Sequence, residues 1–263
     1  MISFVGAGPG AADLITLRGR DRLAAADVVV WASSLVPDAL LAHARPGAAV
    51  FDSAGMTLED VLAVYASHSE SAIVRLHSGD PALYGAIGEQ IDWCLDNGRD
   101  FEVVPGVSSL AAGAAVLGRE LTVPGVSQSV ILTRLPGRTA GSVPAGESLA
   151  ALAAHGATMG VFLSGARPEE LQAQLLAGGG YTPATPAAVV VRATWPDEAV
   201  YPTTVADLAA TVRRSGASRT VLVLVGEALA PGIGAGRSHL YSPDYAHAFR
   251  RRSAPGSTAG RPA

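Results

Sequence analysis

The segment Ile2-Ser3-Phe4-Val5-Gly6-Ala7-Gly8-Pro9-Gly10 passes from strand-forming residues directly into a glycine loop. Glycine lets a backbone approach a nucleotide-like ligand without interference from a Cβ atom. A second apolar run, 73–76, leads into the turn His77-Ser78-Gly79-Asp80-Pro81. Because the carboxyl ends of parallel strands meet at one edge of a sheet, the two turns are predicted to lie together and to form a ligand site.

Apolar strands alternate with amphipathic segments through the first half of the chain. The candidate strands lie at 28–30, 49–51, 73–76 and 101–104. This alternation is typical of a parallel sheet covered by helices, which indicates the α/β class. Thr57 and Asp60 have the spacing of a capping box at the start of one covering helix.

A chain of 263 residues is long enough for two cores, since single cores stop growing at roughly 250–300 residues. Turn residues after Gly118 predict a boundary, with one α/β domain over 1–118 and a second over 119–230. The second domain has candidate strands at 130–133, 159–163, 188–191 and 221–225, helices near 147–155 and 168–177, and an edge strand at 201–204. Residues 231–263 are rich in Gly, Ser, Pro and Arg and are predicted to be largely disordered.

Composition excludes several classes of protein. The net charge of −4 argues against nucleic-acid binding, and no apolar stretch reaches the ~20 residues of a membrane span. The chain opens without the pattern of a signal peptide, so we expect a cytoplasmic protein. Cys94, the single cysteine, cannot form an intramolecular disulfide or a thiolate metal cluster, and its helical spacing places it in a core. No metal site is predicted.

All 19 basic residues are arginine. A phosphate-binding loop of the G-x-x-x-x-G-K-[ST] type and a pyridoxal phosphate Schiff base both need lysine, so both chemistries are disfavoured. A dinucleotide-binding oxidoreductase is the remaining phosphate-binding alternative, because residues 6–11 match G-x-G-x-x-A. That fold requires an acidic residue at the end of the second strand, where this chain has Trp31-Ala32-Ser33-Ser34. Pro9 also removes a backbone donor near the expected pyrophosphate.

A nucleoside without phosphates suits these loops better, and S-adenosylmethionine is the candidate. The glycine loop, the Gly79-Asp80-Pro81 turn, Pro105-Gly106-Val107-Ser108-Ser109 and the 192–198 segment resemble the tetrapyrrole methyltransferases. The likeness runs from Met1 to about Leu229. Segments at 32–37, 77–81, 121–128, 133–138 and 193–198 are most similar to the branch that methylates ring carbon C11. A sibling corrin or uroporphyrinogen methyltransferase acting at another carbon stays open, as does a non-catalytic sensor.

The resemblance implies two α/β domains with a cofactor crevice between them, and a homodimer. It places S-adenosylmethionine against Pro9, Gly79, Asp80, Pro81, Ser108, Ser109, Leu163, Ala193 and Thr220. It also implies a reduced tetrapyrrole substrate, with or without cobalt, whose carboxylates suit the guanidinium groups of Arg134 and Arg138. Ion pairs of these two arginines within the protein are the alternative. Asp80, His77 and Tyr84 flank the cofactor turn, where they either assist proton loss from the substrate or have a purely structural role. One departure from the family pattern is Ala11-Ala12, where an acidic residue and proline are usual.

Overall fold

The first half of the chain forms a sheet of five parallel strands in the computed structural model, which describes residues 1–136, 141, 143–162, 165–232, 238–242, 245–250 and 252. The strands, in chain order, are β1 (Ile2–Gly6), β2 (Val28–Trp31), β3 (Ala49–Asp52), β4 (Ile73–His77) and β5 (Phe101–Val104). Their spatial order is β3-β2-β4-β1-β5. The prediction of a parallel α/β sheet here is confirmed.

Helices cover both faces of this sheet, because strands buried on both sides need two apolar layers. The covering helices are α1 (Leu17–Ala25), α2 (Leu58–Ser67) and α3 (Gly88–Asp96). Val5, Leu23 and Leu76 pack in one layer, and Phe4 and Cys94 pack in the other. The Thr57–Asp60 capping box at the start of α2 is confirmed, and so is the burial of Cys94.

The second half of the chain forms a mixed five-stranded sheet in the order β6-β7-β10-β8-β9. Its strands are β6 (Val130–Arg134), β7 (Thr158–Phe162), β8 (Pro186–Val191), β9 (Ala199–Thr204) and β10 (Val221–Val225). Strand β10 runs antiparallel to both of its neighbours. Pro202 lies in β9, an edge strand, as predicted, because an edge strand has one side on which a missing N–H breaks no ladder.

Helices α5 (Leu149–Ala153), α6 (Pro168–Ala177) and α7 (Leu208–Arg214) pack on the second sheet. Helix α4 (Ser109–Leu117) follows β5 in the chain but also packs on this sheet, with Ala112 against Leu222 and Leu224. A Cβ atom on Gly113 would lie 2.8 Å from Leu222 Cδ2, which shows how closely the helix approaches β10. The predicted division at 118–119 stays a prediction, and this packing favours a boundary before Ser109.

The predicted disordered tail lies mostly outside the described residues. Where it is described, Arg250 donates hydrogen bonds to the carbonyl oxygens of Leu240, Ser242 and Tyr245, and residues 247 and 250 form an isolated bridge. The described part of the tail therefore contains a local turn. Among the described helices, none is long and apolar enough to cross a bilayer.

Candidate active site

A crevice with a cavity of about 200 Å³ lies between the loops of the two sheets. Loops from both domains line it: Pro9, Leu35, Ser78, Gly79, Asp80, Leu83, Tyr84, Ser108, Ser109, Phe162, Gly165, Val190, Ala193, Ser218, Thr220, Val221 and Leu222. The lining includes seven of the nine residues predicted to bind the cofactor. Pro81 is buried next to Asp80 but does not line the crevice, and Leu163 lies outside the described residues. The cofactor role of all nine residues stays a prediction.

The two sequence turns meet as predicted. Gly8 N–H donates to Gly79 O at 3.3 Å, and Gly79 N–H donates to Gly8 O at 2.8 Å. Gly79 has φ +65°, a conformation that favours glycine. Gly106 fits against this pair so closely that a Cβ atom on it would lie 2.1 Å from Gly79 O. Glycine is therefore required here because three backbone segments pack without room for side chains.

Asp80 fastens the turn to the next loop. Its Oδ2 accepts a hydrogen bond from Gly106 N–H at 2.9 Å, and its Oδ1 accepts one from Ala82 N–H at 2.8 Å. Both carboxylate oxygens thus serve the backbone, and this use gives Asp80 a structural role at the crevice. The predicted catalytic role of Asp80 stays a prediction, with both oxygens already engaged.

His77 lies in the core, and this placement counts against its predicted catalytic role. The side chain is 6% exposed, its ring is 6.1 Å from that of Phe4, and it does not line the crevice. Burial, together with the nearby charge of Arg75, lowers the pKa of His77 to about 3. Its Nε2 has no hydrogen-bond partner among the described residues. The imidazole is therefore neutral near pH 7, and its catalytic role stays a prediction.

Tyr84 lies at the crevice, as predicted. Its ring is 5.4 Å from that of Phe162, the last residue of β7, so the pair joins the two domains across the opening. Burial raises the pKa of Tyr84, the charge of Glu147 adds to this effect and that of Arg134 opposes it. The phenol therefore stays protonated near neutral pH and is not a base there.

Arg134 and Phe162 are neighbours at the carboxyl ends of β6 and β7, which pair in parallel. The half-buried Arg134 is thereby placed next to the aromatic pair. Arg138, the second predicted clamp, lies outside the described residues. The structure brings Arg134 to the domain junction, and its contact with substrate stays a prediction.

A contact that sequence reasoning missed ties the second domain to the glycine loop. Trp195 Nε1–H donates to Pro9 O at 2.9 Å, and Ala11 N–H donates to Thr194 Oγ1 at 2.9 Å. We refer to these two hydrogen bonds as the interdomain latch. Gly10 lies under the indole, since a Cβ atom there would be 2.3 Å from Trp195 Cδ1. The only sequence signal for this contact was Trp195, which lies in the 192–198 segment that resembles the family.

The latch requires an unusual backbone in the second domain. Arg192 and Thr194 have φ of 49° and 68°, which non-glycine residues rarely adopt. Thr194 N–H donates to the Glu198 carboxylate at 2.6 Å, and Arg192 pairs with Asp197 while lying over the Trp195 ring. These contacts hold the strained segment in place. Pro9 and Ala193, which line the crevice, are direct neighbours of the latch.

The family model of the Tetrapyrrole (Corrin/Porphyrin) Methylases matches residues 1–209. The chain belongs to the tetrapyrrole methylase family. The resemblance stated from the sequence segments is therefore confirmed, and with it the two-domain α/β fold.

Similar members of the family are known from an archaeon and a bacterium. A cobalt-precorrin-4 C(11)-methyltransferase of Methanocaldococcus jannaschii is 43% identical over 252 residues, covering 95% of this chain and 96% of the relative. A precorrin-4 C(11)-methyltransferase of Mycobacterium tuberculosis is 44% identical over 243 residues, covering 92% of this chain and 96% of the relative.

Solved structures of the family share the architecture. The X-ray structure of a cobalamin biosynthetic enzyme, cobalt precorrin-4 methyltransferase, has a TM-score of 0.83 and 44% identity, covering 88% of this chain and 96% of that one. A uroporphyrin-III C-methyltransferase of Thermus thermophilus complexed with S-adenosyl homocysteine has a TM-score of 0.70 and 28% identity, covering 87% and 98%.

Proposed function

We propose that this chain transfers a methyl group from S-adenosylmethionine to C11 of precorrin-4 or cobalt-precorrin-4, giving the corresponding precorrin-5. The observation that carries the proposal is the share of the chain that aligns with relatives named for this reaction. Relatives named for this reaction match over at least 92% of the chain at 43–44% identity, so the similarity includes the second domain as well as the shared loops.

The crevice supports the choice of cofactor through its donor set. Apolar walls from Val190, Val221 and Leu222 suit an adenine and a sulfonium centre, which need few hydrogen bonds. Ser109 and Thr220 add hydroxyl groups at the rim. The side of Gly79 facing the crevice is open, since a Cβ atom there would meet Ser108 Cα only at 3.8 Å. The residues present therefore fit the group.

S-adenosylmethionine, when bound, supplies an electrophilic methyl group on a sulfonium sulfur. The chain's own contribution is alignment of the reacting carbon, which can lower a barrier by about 7–11 kcal/mol when reacting atoms are held in near-attack geometry. The turn around Gly79, fixed by Asp80, gives a rigid floor for that alignment. No covalent intermediate with a side chain is required.

The oxidoreductase alternative finds no support in the placement of Asp27. This residue, the acid nearest to the required spacing, accepts a hydrogen bond from Ala72 N–H at 2.7 Å and pairs with Arg45. It precedes β2 and so lies at the amino edge of the sheet, opposite the crevice. A ribose held at the crevice is therefore beyond its reach.

The family resemblance also leads us to propose a homodimer that works in the cytoplasm. Sedimentation equilibrium of the purified chain tests the first, and cell fractionation tests the second. A monomer at micromolar concentration would overturn the assembly without affecting the reaction.

The reaction is tested with a labelled methyl donor. The purified chain is incubated with precorrin-4, or its cobalt form, and S-adenosylmethionine carrying a carbon-13 methyl group, and the product is examined by carbon NMR. We expect one new label at C11. A label at C1, C17 or C20 would assign a sibling activity instead, and turnover of uroporphyrinogen III in a parallel reaction would indicate the uroporphyrinogen branch. No label with any of these substrates would refute a methyltransferase.

A further inference from the structure

Three large apolar side chains remain exposed at the mouth of the crevice. Leu35 is 46% exposed, Leu83 37% and Tyr84 49%, and all three line the same opening. Exposed apolar side chains that cluster in a concave region mark a binding surface, whereas scattered ones need no explanation. Phe162 joins them through its ring contact with Tyr84. We call these four residues the apolar platform.

The loop that carries Leu83 and Tyr84 is held in a strained shape. Tyr84 and Ala86 have φ of 60° and 50°, and a Cβ atom on Gly85 would lie 2.2 Å from Pro81 O. Strained non-glycine residues persist where the surrounding structure enforces them, and such positions cluster at functional sites. Here the strain fixes the direction in which the Tyr84 ring leaves the backbone.

Hydrogen bonds hold this shape at both ends of the loop. At its start, Asp80 O and Oδ1 accept hydrogen bonds from Leu83 N–H and Ala82 N–H. At its end, Gln90, 5% exposed, donates to Ala86 O at 3.0 Å and accepts from the Tyr65 hydroxyl at 2.7 Å. The loop therefore has a shape that its own hydrogen bonds and its contact with Gln90 hold in place.

Charge next to the platform points to the class of ligand. Arg134 pairs in register with Phe162, and its charge opposes the rise in the pKa of Tyr84, so Arg134 lies near the aromatic pair at the domain junction. Arginine suits carboxylates through paired hydrogen bonds, while aromatic and leucine side chains suit the faces of a conjugated ring. A ligand with an apolar ring and carboxylates on its rim matches both features.

We propose that the apolar platform carries the macrocycle of the tetrapyrrole substrate, and that Tyr84 acts as a positioning residue through its ring. This inference rests on the proposed function for the identity of the substrate. It assigns no base to the site: the Tyr84 ring holds the macrocycle over the cofactor turn, and the hydroxyl is dispensable. Leu35, from the loop after β2, lines the same opening.

The test separates the ring from the hydroxyl. Tyr84→Phe keeps the ring, Tyr84→Ala removes it, and Leu95→Ala, which alters a 65% exposed side chain on α3 that does not line the crevice, is the matched control. Binding of uroporphyrin III, a stable tetrapyrrole octacarboxylate, is followed by its fluorescence, and binding of S-adenosylhomocysteine by calorimetry. We expect Tyr84→Phe and Leu95→Ala to bind uroporphyrin within about twofold of the parent, and Tyr84→Ala to lose about five- to tenfold, as expected for one aromatic contact.

Three results would overturn the inference. They are normal uroporphyrin binding by Tyr84→Ala, an equal loss in Tyr84→Phe and Tyr84→Ala, and a larger loss of S-adenosylhomocysteine than of uroporphyrin in Tyr84→Ala. Failure of the parent chain to bind uroporphyrin would also overturn it. None of these outcomes depends on which carbon is methylated, so the carbon NMR experiment can fail while the platform stands, and the reverse also holds.

Discussion

Replacing Gly10 by alanine should break the interdomain latch without straining the backbone. Gly10 does not have a positive φ, so alanine is allowed there, but its Cβ atom would lie 2.3 Å from Trp195 Cδ1 and 2.9 Å from Thr194 Oγ1. The indole must move, and the hydrogen bonds to Pro9 O and from Ala11 N–H are lost with it. Each such hydrogen bond contributes about 0.5–1.5 kcal/mol net, so we expect a loss of about 1–3 kcal/mol in the free energy of unfolding.

In a protein of this size each kcal/mol corresponds to about 2–4 °C in Tm, so the melting temperature should fall by roughly 2–12 °C. Pro9 and Ala193 border both the latch and the crevice, so cofactor binding should weaken as well. A lost interaction of about 1 kcal/mol would raise the Kd of S-adenosylhomocysteine about fivefold. Calorimetry measures both the melting temperature and this Kd.

Gly88→Ala is the matched control, because Gly88 has no heavy atom within 4 Å of its Cβ position and begins α3. Alanine there should leave Tm unchanged or raise it, since alanine is the better helix former by about 0.5–1 kcal/mol. Trp195→Phe removes the indole donor without introducing a clash and should give a smaller loss than Gly10→Ala. Equal melting temperatures and equal affinities for Gly10→Ala and Gly88→Ala would refute the role given to the latch.

Three further predictions concern the core, the domain junction and the cofactor turn. The pKa of His77 is about 3 in the fold and about 6.5 when unfolded, so the free energy of unfolding should fall as pH drops below about 6.5. His77→Phe should reduce this dependence of the free energy of unfolding on pH, as measured by urea titrations at several pH values. An unchanged pH dependence would contradict the burial argument. Arg134→Ala should weaken the binding of uroporphyrin by about 1.5–3 kcal/mol, the contribution of one carboxylate contact, and should affect the binding of S-adenosylhomocysteine far less. Equal losses of binding for the two ligands would remove Arg134 from the substrate site. Gly79→Val should fold with a reduced Tm, because Gly79 has a φ of +65°, and should lose cofactor binding. Gly106→Ala should not fold, as judged by circular dichroism, because its Cβ atom would lie 2.1 Å from Gly79 O. Normal cofactor binding by Gly79→Val would place this turn outside the site.

Much of the fold could be read from the sequence because its signals are local. The strands at 28–30 and 73–76 are apolar runs, the Thr57–Asp60 cap spans one helical turn, and Pro202 marks an edge strand by its missing N–H. Helix α7 (Leu208–Arg214) escaped prediction because seven residues carry little periodicity, and its burial against the second sheet stabilises it. The meeting of the two glycine turns was predictable because parallel strands end at a common edge.

The roles of individual site residues depended on contacts between distant parts of the chain. His77 and Asp80 lie in the turn that the sequence pattern indicated. Only the packing reveals that the His77 ring is buried against Phe4 and that the Asp80 carboxylate accepts a hydrogen bond from Gly106 N–H. The latch joins Ala11 to Thr194 and Pro9 to Trp195, which are separated by 183 and 186 positions in the chain. Sequence periodicity carries no information over such separations. Local pattern therefore determined the strands and the turns, because each depends on neighbouring residues. Tertiary packing decided which side chains face the crevice, because that depends on how the two sheets meet.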